Sequence, residues 1–538
     1  MKKFLRHIRS RSREFRGSIS KHDLRAADRY PPPVPGCDFT QRLPRPVLSK
    51  IFAAVCPHAL DDTYNSYEES MTEDGCMLCD MRDLAYCALV CKRWCCEAQS
   101  LLYNNVRIDP VHYCELEIEL AEKRKHRSLF DRNGIPIDAP KVRLVLFMRT
   151  VRENPELAEM VRSLRMPYMT REGSKAELAR TVSVLPNLRY VDLPAGFYSD
   201  DASAHTLKQE LMAQCPDIRR MKYTEGSEAS FSRIPGSRLW MCLEVLELSG
   251  LKVDPTTLRL VLNSFTALRD LKLENLPWLD DSVFSHIPSL PSFPPLQRFT
   301  LQDIPNVTAS GLAAYLSIPQ NREVLTYLTL SNTGVLPQSL HQVLSAAPCL
   351  QSLSIIQEVS KPFPLENIPP LSSKSLRLLH YEITSDGGSY GLQPAASSYY
   401  TYLMSSLTSN CLPALRDLYV RDANFPDTLL LAPPPRIFGG GEFSSSKPSN
   451  IGLNQPLNVY SKGMDELEWN FTPYEPPSTR GRRDSKTRPV SLHGAQLSPQ
   501  WGGEARRSVL VGNGFGGFLA VPVDEERPKS SGKADLWR

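Results

Sequence analysis

One spacing governs what this chain can become. The pattern Leu-x-x-Leu-x-Leu, with other apolar residues standing in for leucine, returns ten times between residues 161 and 420. It reads Val161/Leu164/Met166, Leu188/Val191/Leu193, Ile218/Met221/Tyr223, Leu243/Leu246/Leu248 and Leu268/Leu271/Leu273. It continues as Leu296/Phe299/Leu301, Leu325/Leu328/Leu330, Leu350/Leu353/Ile355, Leu376/Leu379/Tyr381 and Leu415/Leu418/Val420. Up to Leu376 the steps lie between 25 and 30 residues; the last is 39 and carries the polar insertion SDGGSYGLQPAASSYY. A repeat of this length holds one short strand and one helix, and neither can bury its apolar side alone. Copies therefore stack, and neighbours share one continuous core.

The helical halves lie between the strands. SKAELARTVSVL offers a capping box at Ser174 and Glu177, then Leu178, Val182 and Leu185 on one side. PTTLRLVLNSF and PQSLHQVLSAA repeat the arrangement. MDELEWNF also fits the spacing through Met464, Leu467 and Trp469, and is read as a returning strand over the open end of the stack.

In a strand, alternate side chains face opposite ways. The third and fifth positions of each match therefore point away from the core, onto the concave side. From these the candidate target-binding residues are Tyr190, Asp192, Arg220, Lys222, Asp270, Lys272, Arg298, Tyr327, His380 and Tyr419. Both charge signs and several aromatic rings are present. That mixture suits a protein or peptide partner, whereas nucleic acid selects a consistently basic stripe.

A different pattern precedes the repeats. LPRPVLSKIFAAV sets Leu43, Val47, Leu48, Ile51, Phe52 and Val55 on one face of a helix, with Pro44 and Pro46 where a first turn tolerates proline. DLAYCALVCKRWC then places Leu84, Cys87, Ala88, Cys91, Trp94, Cys95 and Ala98 on one face of a second helix, for which Asp83 is the predicted cap. EAQSLLYNNVRID turns from helix to a strand at Val106 and Ile108 that would begin the stack.

LPRPVLSKIF followed by DLAYCALVCKRWCCEAQSLLYNNVRI resembles an F-box of the fungal kind, and the repeats resemble those of F-box/leucine-rich-repeat proteins. The resemblance implies a short all-α module followed by a curved α/β leucine-rich-repeat solenoid. It implies a non-catalytic role as substrate receptor of a Skp-cullin-F-box ubiquitin ligase. The front module would dock on the Skp adaptor, and through it on cullin, by way of Leu43, Pro44, Val47, Leu48, Ile51, Phe52, Leu84, Val90, Cys91 and Trp94. The repeats would hold the target protein. A ligase-independent scaffold of the same fold is the alternative. One departure from the family stands out: residues 56–81 are inserted between the two helical segments.

Cys76 and Cys79, with Cys56 and His58, have the chemistry of a tetrahedral zinc site within that insertion. Packed or solvated thiols are the plainer reading, and no metal or cofactor is expected. Cys87, Cys91 and Cys95 are expected to pack in the core. GNGFGG at 512–517 matches a dinucleotide-binding pattern in letters, yet lacks the helix such a site needs. No nucleophile and base occur together in a known catalytic pattern, so an enzyme is not expected.

Charge and composition divide the rest. Residues 1–29 carry ten Lys/Arg against three acids, a surplus of seven on a chain whose total is +4, so the remainder sums to about −3. Only this tail has the charge for a polyanion. It lacks the apolar run of a signal peptide, and a solvated tail is preferred over a mitochondrial presequence. Thirteen cysteines, an odd number, fit a reducing cytoplasm or nucleus, and no stretch reaches membrane-spanning length. The expected division is a basic tail with a proline linker (1–36), the F-box-like module (37–110), connecting helices (111–155), repeats (156–420), a loop with a capping strand (421–475) and a disordered end (476–538). Within the last, STRGRRDSKTRPVS is a candidate phosphorylation segment.

Overall fold

The apolar fourth position of the spacing pattern becomes the spine of a parallel sheet. In the computed structural model, Met221, Leu246, Leu271, Phe299, Leu328, Leu353, Leu379, Leu418 and Val459 lie side by side in register on successive strands. Residues 43–56, 59, 61, 63–71, 77–108, 139–237, 239–364, 367–385, 395–431, 453–464, 466–476, 508–512 and 518–522 are described. The chain divides into two units, 1–475 and 476–538.

The first unit is mixed α/β. A three-stranded parallel ladder holds β1 (Asn105–Arg107), β2 (Ser163–Arg165) and β3 (Tyr190–Val191). A ten-stranded sheet follows: β4 (Arg220–Thr224), β5 (Val245–Ser249), β6 (Asp270–Glu274), β7 (Arg298–Ile304), β8 (Tyr327–Thr333), β9 (Ser352–Val359), β10 (Leu378–Ser385), β11 (Asp417–Val420), β12 (Leu457–Ser461) and β13 (Asn470–Tyr474). Neighbours in sequence are neighbours in space throughout. All pairings are parallel except the last, where β13 runs back along β12. The Arg219 N–H donates to the Arg189 carbonyl at 2.9 Å, linking the two ladders.

Burial alternates along β4, β5 and β6, so the apolar residues of one side enter a continuous core and the other side is half-buried. The helices cover the apolar side. Asp254 caps the helix Pro255–Ser264 by accepting the Thr257 N–H at 2.9 Å, and Leu258, Val261 and Leu262 of that helix are buried. Gly250 and Asn275 follow β5 and β6, and Asp303 and Asn332 are the next-to-last residues of β7 and β8, with φ of 66°, 51°, 53° and 49°. Glycine and short polar residues tolerate that left-handed turn best.

Several expectations are corrected. Ser174 lies between the helices Tyr168–Gly173 and Lys175–Val182 and makes no cap hydrogen bond; Glu177 faces Lys141 at 3.6 Å instead. The closing strands are β12 and β13, not one strand through Met464 and Leu467. Both of those side chains are exposed, while Leu453, Leu457 and Val459 supply the buried positions. Part of the polar insertion in the last long step folds as the helix Ala395–Thr408. There Tyr400 is buried, its hydroxyl bonding both the N–H and the carbonyl of Ile383.

In the second unit, β14 (Ser508–Gly512) and β15 (Phe518–Pro522) pair as an antiparallel hairpin where a disordered end was expected. Gly512 ends β14, and residues 513–517 of the GNGFGG match lie outside the described residues. The candidate phosphorylation segment 478–491 and the basic tail 1–29 lie outside the described residues.

Candidate functional site

Three helices build the front module: α1 (Arg45–Val55), α2 (Met77–Val90) and α3 (Lys92–Asn104). Leu48, Phe52, Cys56, Leu84, Ala98 and Leu101 form its small core. Phe52 and Trp94 meet edge to face with centroids 5.1 Å apart, and Arg93 donates to the Leu43 carbonyl. The helix expected across 83–98 is two helices with a corner at Cys91, whose backbone is extended. Asp83 is an exposed mid-helix residue, not a cap, because α2 begins at Met77. Apolar spacing continues across the corner, so periodicity alone cannot reveal it.

The corner sorts the candidate docking residues. Leu48, Phe52 and Leu84 are interior, Leu43 and Trp94 are half-buried, and Pro44 and Cys91 are exposed. Cys87 and Cys95 are half-buried as well, so the three cysteines do not share a buried face. Val47 (40 % exposed), Ile51 (46 %) and Val90 (62 %) face outward, and so do Tyr86 and Leu89 (80 %), which the sequence reading did not single out. Cys56 packs its sulfur 3.6 Å from that of Met81. Cys79 lies on α2, and His58 and Cys76 fall outside the described residues. Among the described residues no cluster of three or more His, Cys, Asp or Glu suits a metal ion.

Of the inserted residues, 61 and 63–71 are described, and they lie against the first strands. Arg165, on β2, donates to the Asn65 carbonyl at 3.0 Å, to Asp61 at 3.0 Å and to the Thr63 carbonyl at 2.7 Å. Arg220 donates to the Tyr64 carbonyl and meets Glu69 at 3.2 Å. Arg171 pairs with Glu68 at 3.0 Å, and Arg107 lies 4.5 Å from the centre of the Tyr67 ring. These residues cover Tyr190 and Asp192, which are 6 % and 2 % exposed. Two of the ten candidate target-binding residues are therefore buried rather than presented. Burial raises the Asp192 pKa from its ordinary value, although Tyr190, Met166, Arg171 and Tyr67 each oppose the rise.

The insertion, through Asp61, Tyr64 and Glu69, and the strands beside it line an open groove of about 1070 Å³. Glu244 sits between Arg219, at 2.5 Å, and Arg269. Arg220 donates to Glu247 at 2.8 Å; burial works against its charge, yet Glu247 and Glu69 raise its pKa overall. Asp270 is shifted upward by burial, which outweighs the nearby Arg298. Lys222 and Lys272 are half-buried on this side, while Arg298 and Tyr327 are exposed, the Arg298 guanidinium 4.6 Å from the Tyr327 ring centre.

The far end of the same sheet is aromatic. Tyr419 stacks on Tyr460 at 4.4 Å and meets Trp469 edge-on at 5.2 Å, with His380 5.7 Å from Tyr419. Beneath them Glu382 accepts from His380 Nε2 and Lys462 Nζ, both at 3.0 Å; these hydrogen bonds, His380's foremost, pull its pKa down to about 2. His380 and Tyr419 were legible as concave residues. Trp469 was read only as part of a returning strand, and Tyr460 and Lys462 were missed, because Tyr460 on β12, Lys462 just after it and Trp469 just before β13 all follow a gap in the repeat spacing.

The in-register ladder of one strand per repeat, with helices on its other side, is a leucine-rich-repeat fold. No family model matches the chain, and no curated protein matches it. Among solved structures, the leucine-rich repeat-containing protein LegL7 from Legionella pneumophila is similar, with 14 % identity over 66 % of this chain and 91 % of that one, and a TM-score of 0.26. Among the described residues no helix is long and apolar enough to cross a membrane.

Proposed function

We propose that the chain is a non-catalytic recognition subunit: α1 and α2 dock on a Skp-type adaptor of a cullin ubiquitin ligase, and the concave sheet holds a target protein. The observation that carries this reading is the sorting of the front module. Leu48, Phe52 and Leu84 fill its core, while Val47, Ile51, Leu89 and Val90 stay exposed on two helices that pack together. Exposed aliphatic residues on a rigid support are what an interface core requires. β1 follows α3 directly, so such a docking face would be tied to the sheet without a flexible linker.

Capture of a purified Skp-type adaptor by the full chain tests the proposal. Ile51→Asp and Leu89→Asp should abolish capture while the melting transition is unchanged. Absence of capture by the parent chain would favour a ligase-independent scaffold that uses the concave side alone.

A further inference from the structure

The groove contains its own clue to what it binds. Seven Lys/Arg and three Asp/Glu of the repeat region line it, a surplus of four positive charges; the inserted segment adds Asp61 and Glu69. Arg162 and Arg298, at opposite sides of this lining, make no ion pair among the described residues. Asp61, Thr63, Tyr64, Asn65 and Glu69 line the groove, and the sequence they belong to, DDTYNSYEES, is acidic and has no Lys or Arg. It is held through side-chain carboxylates and through main-chain carbonyls, by Arg165 and Arg220 in particular. Carbonyl contacts read an extended backbone and not a particular side chain, and guanidinium groups favour carboxylates. The contacted carbonyls, of Thr63, Tyr64 and Asn65, lie in the irregular part of the segment before the 3-10 turn Glu69–Met71, and another acidic segment without regular structure would satisfy the same donors equally well.

We infer that residues 61–69 are an internal stand-in for the target, and that the groove over β3–β7 receives an extended acidic segment of a partner protein, which displaces them. The inference rests on the reading that the concave side is where this chain takes its target. It does not depend on the adaptor. Displacement exposes Arg165, Arg220 and Asp192 together, so the occupied and vacated states differ in many charges at once. Binding in competition with a tethered segment is weakened by the fraction of time the segment is seated.

The test uses the full chain and a labelled peptide DDTYNSYEES, followed by fluorescence anisotropy at low salt. The parent should bind weakly. Asp61→Asn with Glu69→Gln, which loosens the tethered segment, should bind at least tenfold more tightly. Adding Arg162→Gln and Arg298→Gln should remove most of that gain, and a peptide with Asn and Gln in place of its acids should not bind. A folded double variant that binds no better than the parent overturns the inference, as does stronger binding of a single-stranded oligonucleotide than of the peptide. Should the double variant fail to fold, hydrogen exchange of residues 61–69 in the parent decides: saturating peptide should speed it, and unchanged exchange overturns the inference. Adaptor capture by the same proteins is read separately. Its loss would count against the docking proposal and leave the groove result standing.

Discussion

The Asp192 carboxylate accepts the backbone N–H of Tyr67, 125 residues earlier in the chain, at 3.1 Å. The same carboxyl oxygen accepts the Met166 N–H at 3.0 Å, and the other accepts the Tyr190 hydroxyl at 2.7 Å. A single buried acid thus ties the inserted segment to two rungs of the first ladder.

Asp192→Ala should remove the acceptor of two buried amides. Each such orphan costs about 1–3 kcal/mol, so a loss of about 2–6 kcal/mol is expected in urea denaturation. Proteolysis should also find new cleavage sites within 61–71. A protein of unchanged stability would mean that solvent already reaches these amides.

In the front module, core and exposed residues should separate cleanly. Phe52 is 1 % exposed and packs on Trp94, so Phe52→Ala should cost about 3–5 kcal/mol and unfold the module. Ile51→Asp, by contrast, should shift stability by no more than about 0.5 kcal/mol. Circular dichroism melts of the two variants check this, and they make Ile51 the informative site for docking experiments.

Glu382 predicts an acid-sensitive end of the sheet. Its pKa in the folded chain is about 2 against an ordinary 4.5. The folded state thus holds the proton more weakly than the unfolded one, and the contribution is present above pH 4.5. It is lost as pH falls from 4.5 toward 2. Urea midpoints at pH 5 and pH 3 should differ less in Glu382→Gln than in the parent.

Gly311 allows close approach of two repeats. A Cβ there would stand 2.8 Å from the carboxyl carbon of Asp281, which accepts the Thr308 N–H at 2.7 Å and the Ser310 hydroxyl at 2.7 Å. Gly311→Ala should therefore cost about 1–3 kcal/mol by forcing these groups apart. A thermal midpoint equal to that of the parent would show that the carboxylate can move away.

The repeat spacing was legible because a buried parallel strand must present apolar residues at fixed intervals, and nothing else in the chain keeps that frame. Leu246, Leu271 and Leu328 could be placed on a shared spine from spacing alone. The corner at Cys91 could not, since helices on either side of it carry the same apolar period. Nor could the burial of Tyr190 and Asp192. What covers them includes Tyr64 and Tyr67, which lie far away in the chain in a segment with no periodicity of its own. Complementary charge was the available signal: an acidic, tyrosine-bearing insertion beside strands that carry Arg189, Arg219, Arg220 and Arg269 at or just before their first residues. The aromatic end was half legible, through His380 and Tyr419, and its other members lay past the irregular segment.

The reversed strand β13 has a consequence for how copies of this molecule meet. A parallel sheet that simply stopped at β12 would present a row of unsatisfied amides, a template on which another chain could add itself and begin a fibre. Here that row is occupied from within, and the new border is five residues long and interrupted by Pro473. Growth by strand addition is discouraged at this end, which leaves association to side-chain surfaces whose specificity evolution can tune.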